Sequence, residues 1–309
     1  MKVPRIVLMG GFGNQLFQLA FGLERYSDRQ FALETSLGGP RFAENGNLDL
    51  ESYLLPSRVS VINESANRLS RKLTNMMLRV SISNSPQIIK FRIVALCSLL
   101  LKITHRKNLK SVCASGVGFS ELNYPKPGNN DLAIGYFQSS FFFSERTLET
   151  LRSMEHTQII DGYGDYAAIA VKQRPIMVHV RLGDYELETG IGLLPNSYYI
   201  AAIQTARFHS PNSPIWIFSN DISKVRDRFS DFKFEEMIFI EDHWNSAAST
   251  FEVMRLGSAY VIANSSFSYW AAMLSKAPNP LVIAPEPWFQ GTVSPSKILP
   301  PEWKTIRTK

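Results

Sequence analysis

The sequence predicts an α/β fold in two domains, and three observations predict it. A chain of 309 residues is long for one small core and suits two medium α/β domains. Near the start, the apolar run Arg5–Met9 ends in Gly10 and Gly11 and gives way to a helical pattern, a succession of strand, tight turn and helix. From Pro175 to Ile283, four or five short apolar runs alternate with helical patterns, and that alternation builds a parallel sheet with helices on both faces.

Each element follows from its local pattern. Arg5–Met9 is a strand, a helix runs from Asn14 to about Tyr26, and Gln30–Leu33 is a second strand. Apolar spacing makes 58–110 mainly helical. Ser115–Asp131, rich in Gly, Pro and Asn, is a loop. Leu132–Tyr136 is a strand, followed by the aromatic patch Phe141–Phe143 and a helix over Ser144–Met154. The second half opens with the strand Pro175–Val180 and the helix Asn196–Phe208. Strands at Pro214–Phe218, Met237–Ile240, Tyr260–Ala263 and Leu281–Ile283 then alternate with helices ending near Phe229, Leu256 and Leu274. The domain boundary is placed near Val171–Pro175, giving domains 1–172 and 173–309.

Charge is distributed unevenly. The net charge is +6, but residues 58–110 hold eleven Lys/Arg against a single acid, Glu64, while the remainder holds more acids than bases. Inside this stretch, Ile88–Thr104 is apolar and basic, and its apolar heart, Ile93–Leu101, is shorter than the ~20 residues a membrane span needs. It is either a helix lying on an anionic membrane surface or a core helix with a solvated basic flank. No nucleic-acid motif accompanies the charge, so nucleic acid is not an expected partner. Cys97 and Cys113 form no CxxC pair, which excludes zinc and thioredoxin-like chemistry and suits a reducing compartment. The run Ile6–Met9 is too short for a signal peptide. A cytoplasmic location is expected, with peripheral contact at the inner membrane face as an option. Sequons at Asn63 and Asn264 have no meaning in that compartment.

Four motifs carry chemistry. In Gly10-Gly11-Phe12-Gly13-Asn14-Gln15, glycines let backbone approach a ligand, and the following helix turns its N-terminus toward an anion. A dehydrogenase fingerprint fails at Leu16, although Glu34 mimics that fingerprint's ribose-binding acid. A turn with no ligand is the structural alternative. In Val178-His179-Val180-Arg181-Leu182-Gly183-Asp184-Tyr185, strand periodicity puts His179 and Arg181 on one face. They sit where open α/β sheets bind ligands, and an arginine there can fork onto a diphosphate. A His and Arg paired with acids at a domain interface would look the same. In Phe218-Ser219-Asn220-Asp221, the carboxylate suits the paired N1 and N2 donors of guanine, or else caps the next helix. In Ala263-Asn264-Ser265-Ser266-Phe267-Ser268, hydroxyls and unpaired amides at a helix start form a second anion cradle, or an ordinary cap.

Together, GGFGNQLFQLAFG, VHVRLGDY, LPNSYY, IFSND and ANSSFSYWAAML, in this order, resemble the bacterial and animal α-1,2-fucosyltransferase family, of the glycosyltransferase family 11 type. The match runs from residue 9 to about 275, with 58–160 not recognisable. The resemblance implies a GT-B-like fold of two Rossmann-like domains facing across a cleft. It implies an inverting transferase with GDP-fucose as donor, no bound metal and no further cofactor, acting on a glycan acceptor for which a lipid-linked form is one option. Arg181 then holds the β-phosphate, and His179 and Asp221 contact guanine or ribose. Asn264, Ser265, Ser266 and Phe267 line the diphosphate pocket, Gly11 and Gly13 shape the facing loop, and Asn14 reaches the fucose side from the other domain. Asp184 is the favoured base, with Glu186 and Glu188 as alternatives. The relatives commonly carry a second arginine in the mid-chain motif, and here that position is Leu182. The sequence has no DxD beside an apolar strand, the usual holder of a divalent ion on a sugar diphosphate.

Overall fold

The computed structural model describes residues 3–40, 48–82, 86–105, 111–115, 128, 131–157, 163–187, 190–232, 234, 236–241, 246–290 and 297–308. Most of the loop expected over Ser115–Asp131, and Glu188, lie outside these residues, as does the side chain of Asp184. The chain divides into two units, Met1–Glu155 with Pro295–Ile298, and His156–Ser294 with Leu299–Lys309.

The first unit contains β1 (Arg5–Val7), α1 (Phe12–Arg25), β2 (Phe31–Glu34), β3 (Val59–Ile62), α2 (Arg68–Ile82), α3 (Gln87–Thr104), β4 (Ser111–Ser115), β5 (Asp131–Gly135) and α4 (Glu145–Arg152). Its five strands are all parallel, in the order β3-β2-β1-β5-β4. β1 is buried along its length, as a central parallel strand covered on both faces must be. α1 starts at Gly11 because the preceding Gly10 turns the chain with φ +69°, a conformation that costs other L-residues steric strain. Its last turn ends on Arg25, which suits the negative end of the helix dipole. α2 and α3 pack Leu73, Met77, Cys97 and Leu101 onto the sheet beside Val7, Leu132 and Ile134. Buried Arg5 bonds Glu34 at 3.2 Å and Glu64 at 2.6 and 2.8 Å.

The second unit contains α5 (Tyr163–Gln173), β6 (Ile176–Val180), α6 (Asp184–Leu187), α7 (Asn196–His209), β7 (Ile215–Ser219), α8 (Ile222–Arg228), β8 (Met237–Phe239), α9 (Ala247–Met254), β9 (Ala259–Val261), α10 (Ser266–Met273), β10 (Leu281–Glu286) and β11 (Lys304–Arg307). All six strands are parallel, in the order β11-β10-β9-β6-β7-β8. β6 sits at the centre, its IMVHV residues fully buried. The core beneath it gathers Val178, Val180, Tyr198, Tyr199, Ile203, Ile217, Val261 and Ile283. The Tyr198 hydroxyl lies 2.6 Å from the Ile262 carbonyl and 3.1 Å from that of Ile283. α7 is thereby fastened to the end of β9 and the middle of β10.

The α/β class with two Rossmann-like units is borne out. The division falls at Glu155/His156 rather than near Val171–Pro175, because α5 joins the second unit. Tyr166 of α5 lies edge-on to buried Trp216, with ring centroids 6.0 Å apart. The stretch 58–110, expected to be mainly helical, holds α2 and α3 among its described residues, but it opens with the strand β3.

Candidate active site

In the second unit the three later motifs converge. β6 pairs with β7 on one side and β9 on the other, with Val178 opposite Ile217 and Val261. The segments that follow these three strands, 181–187, 220–221 and 262–266, therefore leave one edge of the sheet side by side. The chain order also reverses here. After β6 the sheet grows through β7 and β8 in one direction, then returns to β9, β10 and β11 on the other side. Such a reversal opens a crevice at the carboxyl ends of the strands, where α/β sheets bind ligands.

His179 and Arg181 enter this region from β6. His179 is 4% exposed and packs against the Phe267 ring with centroids 5.7 Å apart. Burial, with a smaller contribution from Arg181, pushes its pKa down from 6.5 to about 3, so the imidazole is neutral at pH 7. Its Nδ1 is buried without a hydrogen-bond partner among the described residues, a costly arrangement unless a ligand group satisfies it. The half-buried Arg181 guanidinium lies 5.3 Å from the Tyr185 ring centre. The Tyr185 hydroxyl in turn donates to the Asn264 carbonyl at 3.4 Å.

The turn after Arg181 is held by a residue that motif reasoning passed over. The Leu182 N–H donates to Asn220 Oδ1 at 2.9 Å, and Asn220 Nδ2 donates to the Leu182 carbonyl at 3.1 Å. Gly183 follows with φ +64°, and a Cβ there would come 2.8 Å from Asn220 Nδ2. Leu182 buries its side chain in the core. Asp221 accepts from the Lys224 N–H at 3.2 Å as the N-cap of α8, and its carboxylate lies 3.5 Å from Lys224 Nζ.

The late motif turns from β9 into α10. Ser265 is the N-cap, its hydroxyl accepting from the Phe267 N–H at 3.4 Å, and Ser266 is the first helical residue. Asn264 is buried and commits its amide to the carbonyls of Ile191 and Gly192 at 3.1 and 3.0 Å. Its described contacts therefore fix the loop before α7. Ser265, Ser266 and Phe267 stand together at the helix start, beside His179. No acid occupies the first turn of α10, so its dipole end favours an anion.

The first motif lies in the first unit, at the corresponding reversal between β1 and β5. Gly11 caps α1 with its carbonyl accepting from the Asn14 and Gln15 N–H groups at 2.9 and 3.1 Å. Gly13 is buried in the first turn. Asn14 Oδ1 accepts from Gln138 Nε2 at 2.8 Å, across the two strand ends. Gln138 follows Phe137, a buried residue held at φ 52°, a conformation strained for a bulky side chain. Gln18 closes the same end, accepting from the Met9 N–H and donating to the Gly135 carbonyl. Glu34 is fully buried and accepts from Arg5 and from the Ser36 N–H and hydroxyl, with His105 at 3.8 Å. Burial raises its pKa, but His105 and Ser36 outweigh that and lower it overall. The acid that mimics a dehydrogenase's ribose ligand is thus consumed by the fold.

Within the second unit the arrangement offers one guanidinium, a neutral imidazole, a half-buried aromatic ring and the amides of a helix start, gathered at a crevice. Those are groups for a nucleotide with a diphosphate, and for the charge that grows as a diphosphate leaves. Among the described residues, no group of three or more His, Cys, Asp or Glu side chains is placed to hold a metal ion. Asn220 and Gln138 were the residues sequence reasoning missed. Asn220 was visible as the neighbour of Asp221 at a strand end, whereas Gln138 had only its place after a short strand to mark it.

The chain is similar to several known proteins. Residues 133–307 match the model of glycosyl transferase family 11. An α-1,2-colitosyltransferase of Escherichia coli is 26% identical over 299 residues, covering 92% of this chain and 91% of that protein. The O-antigen biosynthesis glycosyltransferase WbnK of Escherichia coli is 28% identical over 130 residues, 41% of this chain and 42% of that one. Among solved structures, the fucosyltransferase NodZ from Bradyrhizobium covers 89% of this chain and 94% of its own, at 15% identity and a TM-score of 0.47.

Proposed function

The chain belongs to glycosyl transferase family 11, and from that premise we propose that it transfers fucose from GDP-fucose to a glycan hydroxyl, with inversion and without a metal ion. The observation that carries this reading is the meeting of 179–183, 220–221 and 264–267 at the reversal point of one sheet. In it, Arg181 and the amides and hydroxyls at the start of α10 face the diphosphate, while His179 and Asp221 serve the nucleoside. Neutral His179 can accept or donate a hydrogen bond without adding charge.

The reaction is one displacement. The bond between the anomeric carbon and the β-phosphate oxygen breaks, and GDP takes the electron pair. The acceptor oxygen attacks from the opposite face and passes its proton to a base, for which Asp184 at the first position of α6 is assigned. Arg181 and the α10 amides stabilise the departing charge, the role a metal ion plays in other transferases. The α-1,2 linkage draws support from the name of the colitosyltransferase relative, and a surface polysaccharide acceptor from that of WbnK.

A thermal-shift panel of GDP, GDP-fucose, GDP-mannose, UDP and NAD at matched concentration tests the donor site, since selective binding to the folded chain stabilises it. Stabilisation by GDP and GDP-fucose, followed by fucosyl transfer that persists in EDTA, is expected. A preference for UDP or NAD would overturn the nucleotide assignment, and turnover abolished by EDTA would overturn the metal-free mechanism. The similarity to an α-1,2-colitosyltransferase across 92% of the chain favours a second reading, transfer of a colitose donor. It prevails if that donor is turned over faster than GDP-fucose.

A further inference from the structure

α3 is apolar around nearly its whole circumference. Cys97 and Leu101 are buried against the first unit's core, yet Ile88, Phe91, Leu96, Leu99 and Ile103 are 55–66% exposed. Leu69 and Met76 of α2 are exposed as well. A helix apolar on all sides belongs in a core or in lipid, and exposed apolar residues gathered on one face mark a contact surface. Ile88, Arg92, Leu99 and Ile103 recur at helical spacing, so a cation sits within the apolar stripe itself.

The charge on this hairpin is of one sign. Arg68–Thr104 contains seven Lys/Arg and no Asp or Glu, and Arg68, Arg71, Lys72, Arg79 and Arg92 are exposed. No helix among the described residues is long and apolar enough to cross a membrane. We propose that the outward face of the α2–α3 hairpin docks on a bilayer containing anionic lipid. Its apolar side chains enter the boundary between headgroups and acyl chains, and its Lys and Arg residues meet the negative surface. Apolar burial and electrostatic attraction add in such a contact. A second copy of the chain fits poorly, because two purely basic faces repel. A nucleic acid fits poorly too, because aliphatic side chains occupy the centre of the face. The inference stands apart from the identity of the sugar transferred, although it would bring the chain to a lipid-borne acceptor.

The test is co-sedimentation of the full chain with phosphatidylcholine vesicles, with and without phosphatidylglycerol. It is run at about 0.1 M and about 1 M salt, between which the screening length falls from ~10 Å to ~3 Å. Binding to the anionic vesicles at low salt is expected, at least tenfold above neutral ones and weakened by high salt. Leu99→Ser/Ile103→Ser should lose it with an unchanged melting transition, and Ile88→Ser/Phe91→Ser provides an independent pair. Absence of wild-type binding, or binding indifferent to both pairs, would overturn the proposal. So would a dimer seen by sedimentation velocity that the same substitutions dissolve, since the face would then belong to a second copy. Sugar transfer to a water-soluble acceptor, measured in parallel, reports on the enzymatic reading separately.

Discussion

Lowering the pH from 7 to 5 should weaken the second unit of the wild-type chain by about 2 kcal/mol more than it weakens a His179→Gln variant. His179 has a pKa of about 3 in the folded chain against an ordinary 6.5, chiefly through burial and secondarily through Arg181. The unfolded chain takes up this proton as the pH drops below 6.5, and the folded chain refuses it until about 3. Stability is therefore complete above pH 6.5 and falls by ~1.4 kcal/mol per pH unit beneath it. Glutamine carries no proton and removes this dependence, while the other titrating groups act alike in both chains. Urea unfolding followed by tryptophan fluorescence is a suitable assay, because all five tryptophans, Trp216, Trp244, Trp270, Trp288 and Trp303, lie in the second unit. Equal losses between pH 7 and 5 in the two chains would refute a neutral, buried His179.

Arg181→Lys keeps the charge and loses the fork, and kcat should fall by roughly ten- to a thousandfold, as for loss of one transition-state donor; unchanged turnover would remove Arg181 from that role. Asn220→Ala leaves both backbone groups of Leu182 without their partner and should cost ~1–2 kcal/mol in urea melts, with a raised KM for the donor. Gly10→Ala places a Cβ 2.5 Å from Asn14 Nδ2 at a residue with φ +69°; a destabilisation of ~1–2 kcal/mol by circular dichroism is expected, together with lost transfer. Asp184→Asn should abolish the acidic limb of the pH–rate profile, and a normal profile would dismiss Asp184 as the base.

What could be foreseen divides along physical lines. The strands of the second unit stood out because buried parallel strands are short unbroken apolar runs bounded by polar turns, as Ile176–Val180 and Ile215–Ser219 are. The Gly10–Asn14 turn was legible because only glycine takes Gly10's conformation without strain. β4 and β11 were not foreseen: each is a short edge strand, Ser111–Ser115 and Lys304–Arg307, of mixed polarity. The position of α5 escaped because its membership is decided by Tyr166 meeting Trp216, fifty residues further on, and local patterning holds no trace of such a contact. For the same reason Asn220 and Gln138 were passed over. Their importance lies in which backbone groups or side chains they reach, and that is settled only when distant strand ends become neighbours.

Asn264 heads an Asn-Ser-Ser triplet, the acceptor pattern for N-linked oligosaccharide. Its side-chain nitrogen is spent on two carbonyls, and the residue is 2% exposed. An oligosaccharide attached to that nitrogen during passage through a secretory lumen would remove a donor and add bulk with no room to hold it. Production in yeast or animal secretion systems should therefore yield chains modified at Asn264 that cannot close this corner of the sheet, and expression in a compartment without oligosaccharyltransferase is the route this residue dictates.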